Sequence, residues 1–401
     1  MSREARPPSL ATILREWGRI GCVGFGGPPA HVALFRELCV ERRSWLSGEQ
    51  FEDAIAATNL LPGPGSTQLS IFCAWRLRGV SGALVGGAGF VLPGLVAIVA
   101  LAVLFLASAP PEWVLGAGAG AGAAVAAVAL RAGFGLVPAS WRRARETHPR
   151  RWVGYVFAGL IAAALLGVWL VLVLIACGLL ELAVRRSILP HSTAGGLAIL
   201  LPWRLLHPYG EKGATPALAL AVAGGIGALA WVAFKVGALS YGGGFVIVPL
   251  MQADAVDRYH WMSDGQFLNA VALGQVTPGP VTHTVAVVGY AAMGIWGALL
   301  AAVVAFAPSF SFVLLGAERF DRLRTDVRAR AFLDGAGPAA IGAILGSAVP
   351  LALALGETWQ VAILAVAAIA LLALRRSVVL TLLAAGLAGA IVALAGAPLP
   401  A

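Results

Sequence analysis

The chain has 401 residues, 59% of them hydrophobic and only 12% charged, with a mean hydropathy of +0.86. Soluble domains carry about a quarter charged residues, so this composition excludes one, and the absence of period-2 alternation excludes an outer-membrane barrel. The formal net charge of +9 does not mark a nucleic-acid binder, because the arginines stand in short clusters between apolar runs rather than along one face.

Several runs reach the roughly 20 apolar residues that cross a bilayer as helix, which predicts an all-α polytopic membrane protein with the arginine clusters as topology signals. No cleavable leader is expected, since the first ten residues are short of apolar sequence and lead into the charged Arg15, Glu16 and Arg19. Cys22, Cys39, Cys73 and Cys177 lack CxxC or metal-ligand spacing and read as buried thiols, and no metal or cofactor site is expected.

Residues 11–40 are amphipathic and interrupted at Gly24-Phe25-Gly26-Gly27-Pro28-Pro29, which predicts a helix, a break and a second helix. Next comes Thr58-Asn59-Leu60-Leu61-Pro62-Gly63-Pro64-Gly65-Ser66-Thr67, a polar, helix-breaking loop inside apolar sequence. Long apolar runs at 81–107 and 116–137 follow, then a basic loop at 142–151. Residues 152–184 give room for two short helices turning near Gly167, and Arg185 with Arg186 closes this half. Residues 188–213 read as a linker or an extra crossing.

Beyond residue 217 the pattern returns. Pro278-Gly279-Pro280 stands 216 positions after Pro62-Gly63-Pro64, and Tyr241-Gly242-Gly243-Gly244 stands 216 after Phe25-Gly26-Gly27-Pro28. Trp261, Ser263, Gln266 and Phe267 repeat Trp45, Ser47, Gln50 and Phe51 at the same offset, while Ala298 and Pro308 repeat Ala83 and Pro93 at 215. The chain therefore reads as an internal duplication, with repeats at 1–187 and 214–401 joined by 188–213. Charge suggests their orientation. In the first half the loop at 108–113 has no Lys or Arg and the next is strongly basic; in the second half the loop at 318–330 carries five arginines and the next has none. With Lys and Arg marking the cytoplasm, equivalent loops lie on opposite sides. The expected fold is a pair of inverted-topology repeats whose broken or re-entrant helices meet near the bilayer midplane, the connecting segment supplying the odd crossing.

Two prolines flanking a glycine remove amide donors and free the backbone from helix. At membrane depth such backbone is tolerated only where protein or a water-filled cavity satisfies it, and a helix start there suits an oxyanion. The candidate substrate-binding residues are thus Asn59, Pro62, Gly63, Pro64, Ser66, Thr67 and Gln68 around the first loop, and Gln275, Pro278, Gly279, Pro280, Thr282 and His283 around the second. Phe25, Gly26, Gly27, His31, Tyr241, Gly242 and Gly243 join them from the other breaks. Arg19 and Lys235, again 216 apart, are charges in apolar sequence and hence functional by default. Against this stands the plainer reading that the polar residues cap and pack broken helices, and that the two cations snorkel to headgroups or pair with Glu16 or another carboxylate. Arg131 reads as a cavity residue or a snorkelling one. The glycine run at 116–122 reads as a close helix contact rather than a phosphate loop. No HExxH, GxSxG or paired Asp lies in the apolar runs, so an enzyme is not expected.

Gly24-Phe25-Gly26-Gly27-Pro28 with His31, Trp45, Leu61-Pro62-Gly63-Pro64, Gly82-Ala83 and Phe90 to Pro93 forms one set, repeated as Tyr241 to Gly244, Trp261, Pro278 to Pro280, Gly289 and Phe306 to Ser309. This double set resembles the two-domain chromate ion transporter family over almost the whole chain. Tyr241 and Gly244 depart from the Phe and Pro of the first half. The resemblance implies a multi-pass protein of the inner (plasma) membrane that moves chromate, with sulfate as a related oxyanion, usually outward as a resistance function. An oxyanion uptake permease or an anion channel of the same fold is the alternative. Homodimers are common among membrane carriers, and no local signal speaks for one here.

Overall fold

The computed structural model describes residues 8–58, 61, 63–107, 109–166, 169–188, 225–240, 245–316 and 326–400. Asn59, Pro62, Tyr241, Gly242, Gly243, the connecting residues 189–213 and Arg319, Arg322 and Arg324 lie outside the described residues.

Among the described residues every regular element is helical. Helix α1 (Leu10–Val23) starts at Ser9, whose side chain accepts the Thr12 N–H, and stops at Gly24. Gly27, with φ of 75°, caps α2 (Pro28–Arg36), which runs into a π-turn, Glu37–Arg42. The helix, break and helix expected for this stretch are all present. α3 (Gly48–Thr58) leads to the first Pro-Gly-Pro loop, and α4 (Gly65–Phe105) leads away from it. α5 (Glu112–Ala123), α6 (Val125–Ala144), α7 (Pro149–Ile161) and α8 (Leu170–Ile188) complete this half. The 152–184 run does divide in two: a π-turn, Ala162–Leu166, ends α7 before α8 begins.

The second half comprises α9 (Ile226–Leu239), α10 (Val248–Gln252) with its π-turn Ala253–Arg258, α11 (Asp264–Val276) and α12 (Thr284–Gly316). It ends with α13 (Val327–Gly346), α14 (Ala348–Leu353), α15 (Thr358–Ala368) and α16 (Val378–Leu394).

The sequence repetition extends to irregular backbone. Ser44 and His260, 216 apart, are both left-handed at φ 49° and 50°, a conformation few non-glycine residues adopt. The π-turn Glu37–Arg42 recurs at that offset as Ala253–Arg258. α4 and α12 each contain the same break, Arg78-Gly79 at (−144°, 21°) and (61°, −146°), and Met293-Gly294 at (−149°, 24°) and (63°, −153°). The runs before and after Arg78 are therefore two helices joined at a glycine-enabled turn and folded back on each other, a Cβ on Gly82 lying 2.3 Å from the Ala74 carbonyl oxygen and one on Gly289 2.4 Å from that of Gly297.

Stretches Gly65–Phe105, Glu112–Ala144, Val281–Gly316 and Val327–Leu353 are long and apolar enough to cross a membrane, with shorter apolar helices at Ile226–Leu239, Thr358–Ala373 and Val378–Leu394. Large apolar side chains such as Val96, Trp296 and Val303 point outward, as a lipid-facing surface requires. This is a helical multi-pass membrane protein. Inside it, α1 packs on α4, α9 packs on α12, and α4 and α12 pack on each other. Small residues allow the approach: a Cβ on Gly21 would lie 2.7 Å from the Phe90 carbonyl oxygen, and one on Gly237 only 1.9 Å from that of Ala305. The glycine run of α5 serves the same end, with a Cβ on Gly120 falling 2.2 Å from the Ala385 oxygen of α16. Cys39, Cys73 and Cys177 are buried as expected, but Cys22 is exposed, because it lies off the face by which α1 meets α4.

Candidate functional site

Both Pro-Gly-Pro loops end one helix and start another. Gly63 (φ 122°) and Gly279 (φ 91°) hold left-handed backbone that a side chain would strain. The Pro64 carbonyl accepts the N–H groups of Thr67 and Gln68 at 2.9 and 3.1 Å, and the Pro280 carbonyl accepts that of His283 at 3.0 Å. Each proline is thus the cap of the turn that follows, so Ser66, Thr67 and Gln68, like Thr282 and His283, sit in a first helical turn, and all five are buried.

Each loop is seated on the long helix of the other half. The Gly279 N–H donates to the Gly24 carbonyl at 2.9 Å, and His31 Nε2 donates to the same oxygen at 2.9 Å. A Cβ on Gly94 would lie 2.1 Å from the Pro278 oxygen and 2.7 Å from the His283 ring. Reciprocally, a Cβ on Gly63 would lie 3.3 Å from Ser309 Oγ and 3.4 Å from the Gly237 oxygen. Gly94 and Ser309 are equivalent positions, each following the internal proline of its helix, Pro93 or Pro308. The two histidines are braced by phenylalanine edges, His31 by Phe90 at 5.1 Å and His283 by Phe306 at 5.2 Å.

This junction leaves polar atoms over. Thr67 Oγ1 and Ser309 Oγ beside the first loop, and Thr282 Oγ1 and Gln275 Nε2 beside the second, are buried with no hydrogen-bond partner among the described residues. A buried donor left unmade costs about 1–3 kcal/mol, and such exceptions call for a ligand, water or strain.

The remaining candidates are placed differently. Phe25 and Gly26 are exposed and Gly27 is half-buried. Lys235 is not a free cation: it pairs with buried Asp254 and lies 5.9 Å from the Trp231 ring. Asp254 escaped the repeat-based reading because Leu38 stands at its equivalent position. Arg131 donates to the Leu371 carbonyl at 2.5 Å. Arg19 is exposed and joins Arg15, Glu16, Arg42 and Arg43 around a surface cavity.

Glu16 holds that last group together, bonding Arg42 at 2.6 Å and Arg43 at 2.5 Å. α1 spans only 14 residues, and Glu16 lies outside the spanning stretches. Burial pushes its carboxyl pKa up, but the Arg43 hydrogen bond and the charges of Arg42, Arg43 and Arg15 outweigh it and leave the pKa below the ordinary 4.5. A depressed carboxylate pKa stabilises the fold above the unfolded value and loses that contribution as pH falls through the folded one. Glu16→Gln is expected to cost about 1–2 kcal/mol at pH 7, the usual figure for charge-assisted bonds discounted for exposed partners. Thermal melts should show the gap to wild type closing as the buffer drops below pH 4.5.

Broken helices seated crosswise, with donors buried at the breaks of a multi-pass bundle, define the class of membrane transport proteins. Within that class the chain belongs to the chromate transporter family, which matches residues 11–182 and 227–390; its named relatives are transport proteins, not enzymes. The chain is 31% identical over 404 residues to the chromate transport protein of Pseudomonas aeruginosa, covering 96% of this chain and 94% of the relative. It is 29% identical over 381 residues to the chromate transport protein of Cupriavidus metallidurans, covering 91% and 88%. An uncharacterised transporter of Methanocaldococcus jannaschii is 27% identical over 328 residues, 79% and 78% of the two chains. No solved structure matches the chain.

Proposed function

We propose that the chain is a secondary transporter that exports chromate, with sulfate-like oxyanions as related substrates, across the plasma membrane by alternating access. Two inverted repeats, 1–187 and 214–401, would hold the substrate between them, with 188–213 as the additional crossing. The observation that carries this reading is the set of orphaned donors, Thr67, Ser309, Thr282 and Gln275, at two loops each seated on the opposite half. The relatives named for chromate transport support the substrate.

A tetrahedral dianion offers acceptors in every direction, and hydroxyls, an amide and helix-start N–H groups supply donors without buried cations. Lys235 is neutralised by Asp254, so the site works by neutral donors from Ser66, Thr67, Gln68, Thr282, Gln275 and Asn59. Chromate and sulfate share charge and shape, so discrimination between them is weak. A membrane potential negative inside assists outward movement of a dianion by about 4–5 kcal/mol per 100 mV, twice the unit-charge figure, which makes export without ATP feasible.

Everted vesicles test the reading. Saturable chromate uptake, accelerated by chromate or sulfate preloaded inside, is the expected result. Uptake that never saturates and ignores the trans side indicates a channel; uptake confined to right-side-out vesicles indicates a permease working inward.

A further inference from the structure

α1 and the π-turn after α2 build a basic feature apart from the Pro-Gly-Pro loops. Arg15, Glu16, Arg19, Arg42 and Arg43 line one open cavity of about 570 Å³, with a formal charge of +3 from four arginines and one carboxylate. Glu16, 5% exposed, bonds Arg42 and Arg43 and lies 3.8 Å from Arg15. The Arg42 and Arg43 bonds to Glu16 each use one nitrogen of a guanidinium that carries five N–H donors, so both heads are positioned with donors to spare. Arg43 also lies over the Trp45 ring at 5.7 Å, and Trp45 stacks on buried Trp17. Arg19 makes no hydrogen bond or ion pair among the described residues. Arginines that merely signal topology need no buried carboxylate to fix them. Guanidiniums preorganised around a gap are how proteins hold tetrahedral oxyanions.

The second half offers a contrast. Trp231, Val232, Lys235, Arg258 and Tyr259 occupy the equivalent positions. There Lys235 is closed off by Asp254, and Arg258 lies over Tyr259 at 5.1 Å. An open cation cluster is therefore not a property of the repeat but of this one copy.

We propose that the cavity formed by Arg15, Arg19, Arg42 and Arg43 is an oxyanion-binding vestibule that concentrates dianions at the mouth of the transporter. Focused positive charge raises local anion concentration by about 10-fold or more. The positive-inside rule places it on the cytoplasmic face, where export starts. α1 leads directly from it to the junction: Gly24, which holds the second loop, lies five residues beyond Arg19, about 7.5 Å along the helix. What the vestibule feeds rests on the function proposed above; the binding itself does not. The phosphate of an anionic lipid offers the same chemistry, and the test separates the two.

Arg15→Gln with Arg19→Gln removes two cations and leaves the Glu16, Arg42 and Arg43 cluster in place. Sulfate is titrated calorimetrically into the full chain in phosphatidylcholine nanodiscs, and retained phosphatidylglycerol is weighed by native mass spectrometry in mixed nanodiscs. In parallel, chromate uptake is measured in vesicles at low and high salt. The expected result is sulfate affinity lower by about tenfold in the double variant, KM for chromate raised to match with a much smaller change in kcat, and the salt dependence of wild-type KM flattened. Unchanged sulfate affinity with phosphatidylglycerol lost from the variant assigns the vestibule to a lipid phosphate. Unchanged sulfate affinity and unchanged lipid retention overturn the proposal, even where wild type transports chromate. Wild type that binds sulfate at the cavity yet transports neither ion sinks the function proposed above and spares the vestibule.

Discussion

Gly94→Val is expected to abolish chromate transport and to cut the yield of folded protein sharply. The Cβ alone would fall 2.1 Å from the Pro278 carbonyl oxygen, inside any real contact, and the His283 ring blocks escape at 2.7 Å. Overpacking a well-filled site costs about 1–3 kcal/mol, and here the neighbour is backbone, which yields less than a side-chain tip. The loop would have to lift off α4, taking with it the Gly279 to Gly24 hydrogen bond that ties the two halves. Gly154→Ala in α7 is the matched control, with no atom within 4 Å of the added Cβ; it should transport normally and gain up to about 1 kcal/mol of helix propensity. Detergent melting curves and vesicle uptake read both. Normal transport by Gly94→Val contradicts the seating of the loop.

Thr67→Val should separate the two readouts. Valine keeps the shape and removes a hydroxyl that has no partner among the described residues, so stability should hold or rise slightly. Transport should fall by about 10–100-fold, the equivalent of losing one hydrogen bond to a charged ligand at 1.5–3 kcal/mol. Thr282→Val should behave alike, since Thr282 is buried in the matching turn of the other loop. A variant that melts early and transports normally would make the threonine a packing residue and remove it from the site.

Much of the architecture was legible because duplication repeats its own errors. A glycine, a proline or a Ser-to-Gln pair at a fixed offset marks backbone that must break, and the break after Val23, the Pro-Gly-Pro turns and the Ser-to-Gln caps fall where those marks stand, whereas the π-turns carry no such mark. The crosswise seating of the loops was not legible, since residues such as Gly94 and Ser309 acquire meaning only from what the other half presents to them. Charge partners were hidden for a related reason. Looking for matched pairs selected Arg19 and Lys235 together, but Glu16 and Asp254 are unmatched, and they decide that one cation lines an open cavity while the other is neutralised. The pairing that the sequence offered as the plainer alternative for Lys235 is the one the structure adopts.

In the proposed arrangement the two halves are flipped relative to one another, so that equivalent breaks approach from opposite faces. Single cysteines at Glu112 and Val327, 215 apart, each the first residue of its helix and both exposed, test this in a chain with Cys22 replaced by serine. A membrane-impermeant thiol reagent added to right-side-out vesicles should label one and spare the other, with the order reversed in everted vesicles. Labelling of both from the same side would rule out the inverted arrangement.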